Sequence, residues 1–360
     1  MKDRITCFAL ALCLLCGSLL CLFREKPDFS ESERRVLAKF PETTAQSFFS
    51  GDFADGFEEY ATDTFPFREY LRSVKAHVSR AVFNLSDNNG IFKENAHITK
   101  LDYPLNMPML DHAAERFDFI NRTYLEGKNT RVFLSIIPDK NYFLDMLKLD
   151  YEKLCSYMRE KMPYASYIDI FPKLELEHYY LTDSHWRQNR IYPVAETIAN
   201  ALGADISATY SESFLPDPFY GVYAGQSALK VLPDSIIYLE NDTLSSCTVT
   251  SFDTGKPEKA EMYDMEKAKG RDPYEMFLSG GSSLLTIENP NAKEKRELVI
   301  FRDSFASSLA PLLVPGYSKI TLVDIRYIQS AMLGNFVDFE NADVLFLYST
   351  SMLNASLAFK

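Results

Sequence analysis

A serine, a histidine and an aspartate stand in this chain where acyl transfer would need them. Asp183 precedes His185 by two residues in the polar turn Thr182-Asp183-Ser184-His185-Trp186. Ser304 follows a strand-like run, Glu297-Leu298-Val299-Ile300-Phe301, and leads a helix-like run from Ala306 to Val314. A serine hydroxyl is a weak nucleophile until a base takes its proton. An imidazole can be that base, with a carboxylate to fix its tautomer and stabilise the imidazolium. A serine where a strand turns into a helix is also near backbone N–H groups able to hold an oxyanion. Helix capping is the competing use of these residues. Asp183 can cap a helix beginning near Arg187, and Asp303-Ser304 can cap the next one. Both segments fall at the ends of plausible α/β elements, and one holds one of only five histidines, which favours the catalytic reading.

Such groups must be delivered by strands that end on one rim. Five short apolar runs offer them: Arg131 to Ile137, Tyr167 to Phe171, Glu297 to Phe301, Lys319 to Val323 and Asp343 to Tyr348. Helical patterns cover Tyr142 to Met162, Arg187 to Leu202 and Ser304 to Val314. Near-continuous apolar strands alternating with helices predict a three-layer α/β fold, a parallel sheet with helices on both faces. Ligands of such a sheet bind beyond the carboxyl ends of its strands. Upstream, Phe53 to Phe83 reads as one or two helices interrupted at Pro66, and Met109 to Glu126 as an amphipathic helix. Asp87-Asn88-Asn89-Gly90 is a turn signal into a short strand at Ile91-Phe92. Residues 205–295, with scattered glycines and short β-like pieces, read as an insertion over the sheet.

The chain has 360 residues, 46% hydrophobic, with net charge -12. That negative balance argues against a nucleic-acid binder, which needs a basic surface. Ile5 to Phe23 is uncharged and flanked by Lys2, Arg4, Arg24 and Lys26. At about 1.5 Å per residue it approaches the thickness of a bilayer's hydrocarbon, and its end is bulky where a cleavage site needs small residues. The expected organisation is a cytoplasmic tip and signal-anchor transmembrane helix over 1–26, a stalk over 27–50 and a catalytic domain over 51–360. A cleaved signal is the alternative, and either places the body outside the membrane. Four of six cysteines lie in the apolar segment, leaving Cys155 and Cys247 for at most one disulfide. No Cys/His spacing suits a metal, and no cofactor is expected.

At the Asp-x-His-Trp turn the sequence resembles the DHHW family, which is similar to the AlgX/AlgJ alginate O-acetyltransferases with their SGNH-hydrolase-like catalytic domain. Phe29-Ser30-Glu31-Ser32-Glu33-Arg34-Arg35, Leu37 to Pro41, Thr64-Phe65-Pro66-Phe67-Arg68, Ile137-Pro138-Asp139-Lys140 and Phe301 through Tyr327 carry the resemblance. It implies a triad of Asp183, His185 and Ser304, in an order permuted from ordinary SGNH hydrolases, whose serine comes first. Ser184 replaces the first histidine of the D-H-H-W turn, which leaves the triad itself untouched. The resemblance also implies acetyl transfer to an envelope or exported polysaccharide, with the acetyl donor supplied through a membrane-bound O-acyltransferase. A carbohydrate acetylesterase and a non-catalytic glycan-binding scaffold are the competing functions. Arg326 and Lys140, each just past a strand end, Tyr220 in the insertion, and Trp186 are the candidate substrate contacts. Gly280-Gly281 is a candidate second oxyanion donor.

Overall fold

A computed structural model describes residues 2–23, 26–85, 87–88 and 90–360; Arg24 and Asn89, used above as a flanking charge and a turn residue, lie outside them. The chain divides into two compact units, Met1–Phe92 with Val222–Val231, and Lys93–Gly221 with Leu232–Lys360.

In the first unit, α1 (Lys2–Phe23) contains Arg4–Cys21, a stretch of mean hydropathy 2.1, long and apolar enough to cross a membrane. Thr44 closes a capping box on α2 (Ala45–Ser50), and Gly51, at φ 92°, turns the chain straight into α3 (Asp52–Asp63). The break expected at Pro66 separates α3 from α4 (Arg68–Ala81). Asp63, only 4% exposed, anchors the preceding segment. It accepts hydrogen bonds from Arg35 at 2.5 and 2.7 Å and from the Ala38 amide at 2.9 Å. The Arg35 bond holds its carboxyl below the ordinary range.

The second unit is built on one eight-stranded sheet. Its strands are β1 (Arg131–Ile137), β2 (Ser166–Tyr167), β3 (Thr248–Ser251), β4 (Glu258–Ala260), β5 (Leu284–Glu288), β6 (Glu297–Arg302), β7 (Lys319–Val323) and β8 (Ala342–Ser349). Their spatial order is β4-β3-β5-β7-β6-β8-β1-β2. From β7 to β2 every pairing is parallel. Side chains alternate between two cores, as the two-residue strand period requires. Leu298 and Ile300 pack with α7 (Tyr192–Leu202) and α8 (Phe305–Leu313). Val299 and Phe301 pack with α5 (Met107–Ile120) and α6 (Tyr151–Lys161). This is the expected sheet with helices on both faces.

Three details differ from the sequence pattern. Of Tyr167–Phe171 only Tyr167 lies in a strand, the two-residue β2, and the Phe171–Lys173 3-10 turn, with Pro172, follows. The helix expected from Tyr142 begins at Tyr151, where Asp150 caps it. Part of 205–295 does not lie over the sheet but extends it: β5 pairs antiparallel with β7, and β3 and β4 follow outward. Val249, Leu285 and Ile287 bury themselves in the core beside α7, and Leu284 packs in the core of the other face. Cys155 and Cys247 are both free thiols.

Candidate active site

Four parallel strands run out at one rim: β1 into Pro138-Asp139, β6 into Asp303-Ser304, β7 into Asp324 and β8 into Thr350. Ser304 stands at the start of α8 with helical φ and ψ, and its side chain makes no capping bond. Asp303 does the capping instead. One of its oxygens accepts the Phe305 amide at 3.0 Å and the other accepts the Ser349 amide at 2.8 Å, which ties β6 to β8. With the Phe305 amide engaged by Asp303, and Ala306 N donating to the Asp303 carbonyl at 3.3 Å, these N–H groups are not open to an oxyanion.

The histidine arrives on a loop closed like a hairpin. Tyr179 bridges Trp186, and the Tyr180 amide donates to the His185 carbonyl at 3.1 Å. At its tip Asp183 Oδ1 accepts both the backbone amide of His185, at 3.1 Å, and ring Nδ1, at 2.6 Å. Ring Nε2 lies 2.7 Å from Ser304 Oγ. A carboxylate can only accept, so Nδ1 carries the proton and Nε2 is free to accept from the serine hydroxyl. The structure therefore brings Asp183, His185 and Ser304 into one hydrogen-bonded chain, and Asp183 does not cap the helix after Arg187. Asp183 is buried while the imidazole side chain keeps 13% exposure. The far face of the imidazole stacks on Tyr274, with ring centroids 3.9 Å apart and planes 12° from parallel. Burial drives the Tyr274 hydroxyl well above its ordinary pKa, so it stays a neutral partner of Ser308 Oγ at 2.8 Å.

The remaining expected contacts fall elsewhere. Trp186 is fully buried and does not face a ligand. Its indole N–H donates to Ser308 Oγ at 2.9 Å and the Phe305 carbonyl at 3.1 Å, joining the histidine loop to the helix that starts at Ser304. Lys140 is neither solvated nor at a cleft surface. It is 1% exposed, and its ammonium donates to the carbonyls of Tyr180, Leu181 and Asp183 at 3.0, 3.2 and 2.7 Å. Arg326 turns back on Asp324 in its own turn, with Nε and one Nη at 2.9 and 2.6 Å, so one edge of its guanidinium is already taken. Burial works to lower its pKa, but the Asp324 bond holds the guanidinium above its ordinary value. Gly280 and Ser282 present their carbonyls to the buried Arg302 at 3.3 and 3.2 Å. Tyr220 keeps half of its surface exposed, beside Gly221.

Sequence reading missed Asp234, Gly221, Tyr274 and Ser308. Asp234 accepts the amides of Leu181 and Thr182 at 2.8 Å each, the Thr182 hydroxyl at 2.6 Å and Arg187 at 3.0 Å. No local pattern marks it, since its partners are about 50 residues away in the chain. Gly221 did carry a signal, a glycine among aromatics. A Cβ there would lie 2.3 Å from Asp183 Cβ and 2.5 Å from the Thr182 carbonyl. Gly221→Ala must therefore displace the aspartate. Its expected cost is about 1–3 kcal/mol of stability by overpacking and roughly a hundredfold in turnover from misplacement. A urea titration beside steady-state kinetics would check both.

A mixed α/β sheet sandwiched by helices, with a serine at a strand's carboxyl end, is the three-layer α/β architecture that the sequence pattern predicts. No protein-family profile and no curated protein matches the chain. Among solved structures, a DHHW family protein from Eubacterium siraeum shares the fold, with a TM-score of 0.58 at 21% identity, over 76% of this chain and 94% of that one. PatB1 of Bacillus cereus, solved with a sulfonyl adduct, has the same TM-score at 17% identity, over 73% and 95% of the two chains. The O-acetyltransferase domain of Pseudomonas putida AlgJ superposes more loosely, with a TM-score of 0.46 at 11% identity over 74% and 92%.

Proposed function

We propose that this protein is a membrane-anchored serine O-acetyltransferase acting outside the membrane on an envelope or exported polysaccharide. The observation that carries the reading is the continuous chain from Asp183 through both ring nitrogens of His185 to Ser304, at 2.6 and 2.7 Å. The hydroxyl of Ser304 adds to the acetyl carbon of a donor ester while His185 Nε2 takes its proton. Collapse of the tetrahedral adduct breaks the ester C–O bond, and the same proton passes to the departing alkoxide. A sugar hydroxyl then attacks the acetyl-serine, gives its proton to His185, and leaves as the ester when Ser304 recovers that proton. Asp183 keeps Nδ1 protonated and balances the imidazolium. Tyr220 at the exposed rim is the candidate acceptor contact. The α1 helix supplies the membrane tether, and a membrane-bound O-acyltransferase would supply acetyl groups from the other side.

The test is to give the purified protein 4-nitrophenyl acetate with and without soluble polysaccharide. Transfer predicts acetyl groups on the glycan and faster nitrophenol release when acceptor is present. Acetate as the sole product, at a rate indifferent to acceptor, would make the protein an acetylesterase. No Ser304-dependent turnover of any ester would leave the scaffold reading.

A further inference from the structure

The turn that presents Asp183 is gripped from both sides by buried charge. Lys140, at the exit of β1, places its ammonium on three carbonyls of the turn, including that of Asp183 itself. Asp234, 4% exposed, takes the N–H groups of Leu181 and Thr182. Two of the Lys140 carbonyls have a second partner: Leu181 receives the Ile98 amide at 2.7 Å, and Tyr180 receives His97. The bond from Lys140 to the Asp183 carbonyl is the shortest of the three, at 2.7 Å.

We infer that Lys140 and Asp234 form an ion clamp that both positions the triad carboxylate and sets the proton affinity of His185. This rests on the triad reading and deepens it. The clamp's charges act in opposite directions on the imidazolium. The ammonium draws on the field of Asp183, so it lowers the affinity of His185 for a proton; Asp234 raises it. Among the described residues, Asp183, Asp234 and Asp139 favour the ammonium and Arg187 opposes it, while burial pushes the His97 imidazole down to about 4 and keeps it neutral. Desolvation brings the Lys140 pKa down to about 7, so below that pH, where an imidazole titrates, the cation is present.

The experiment is a pH titration of the His185 ring in the full-length chain in detergent, by NMR of histidine-labelled protein. The ring is assigned by its loss in His185→Gln, and turnover is measured in parallel. Lys140→Met should raise the ring pKa, and the isosteric Asp234→Asn should lower it, each by about one unit at an effective dielectric near 20. Both should reduce kcat by roughly tenfold or more with KM little changed, because a slackened turn misplaces a group acting in the transition state. A ring pKa unmoved by both substitutions, beside Ser304-dependent turnover in the native chain, overturns the clamp and leaves the triad standing. Opposite shifts without any ester turnover in the native chain uphold the clamp and overturn the proposed activity. Should Lys140→Met fail to fold, the sign of the Asp234→Asn shift decides.

Discussion

Ser304→Ala is expected to reduce ester turnover by about four to six orders of magnitude, the range for losing a triad nucleophile. The fold should hardly register the change. The α8 cap is Asp303, not Ser304, and the hydroxyl that is removed bonds to His185 Nε2 at a part-buried position. Alanine is also the better helix former, so the melting temperature should stay within a few degrees. Labelling provides an independent readout. Because Ser304 Oγ bonds the His185 base at 2.7 Å, a sulfonyl fluoride should add one sulfonyl group to the native chain and none to the variant, by intact mass. If the variant kept a tenth of the native rate or still took the label, the nucleophile would lie elsewhere.

The parts of the site that were legible beforehand are those whose signal is local. Glu297 to Phe301 announces a buried strand because both faces of β6 are covered, and the serine after it falls at the rim by topology alone. Asp183 and His185 are two residues apart, so one short turn lets the carboxylate bond both the ring and the backbone of the same histidine. What escaped is what depends on distant packing. Lys140 looks like any lysine after a strand; its burial follows from the arrival of residues 180–183 over it. Asp234 sits in a stretch with weak patterning, and only the folded loop shows that it receives two amides. Arg326 illustrates the opposite failure. An arginine at a strand end suggested a ligand, yet the buried Asp324 two residues earlier takes the Nε and one Nη of its guanidinium. The antiparallel β3–β5 edge was missed for a further reason. Its strands are short, with one buried residue in β4's neighbour β3, so the alternation is too brief to read.

Asp183→Asn is expected to cost about ten-thousandfold in kcat, close to removing the base itself, although the side chain keeps its shape. The argument is one of donors and acceptors. Asp183 Oδ1 now accepts from the His185 backbone amide and from ring Nδ1 together. If the asparagine NH2 takes the place of Oδ1, it opposes the backbone N–H of His185 and donates to Nδ1, which drives the ring proton to Nε2. Nε2–H then points at Ser304 as a donor and can no longer take the hydroxyl proton. If the amide oxygen faces Nδ1 instead, the tautomer survives but the imidazolium loses its counter-charge. Both orientations fail, for different reasons. The substitution also removes one of the carboxylates that favour the buried Lys140 cation, so the variant should be less stable near neutral pH and recover toward alkaline pH, where that lysine is neutral. Kinetics and urea unfolding of the variant from pH about 6 to 10 would test both halves, since the ammonium is lost as pH rises through this window. A loss of less than tenfold, with no change in the pH dependence of stability, would reduce Asp183 to an ordinary turn residue.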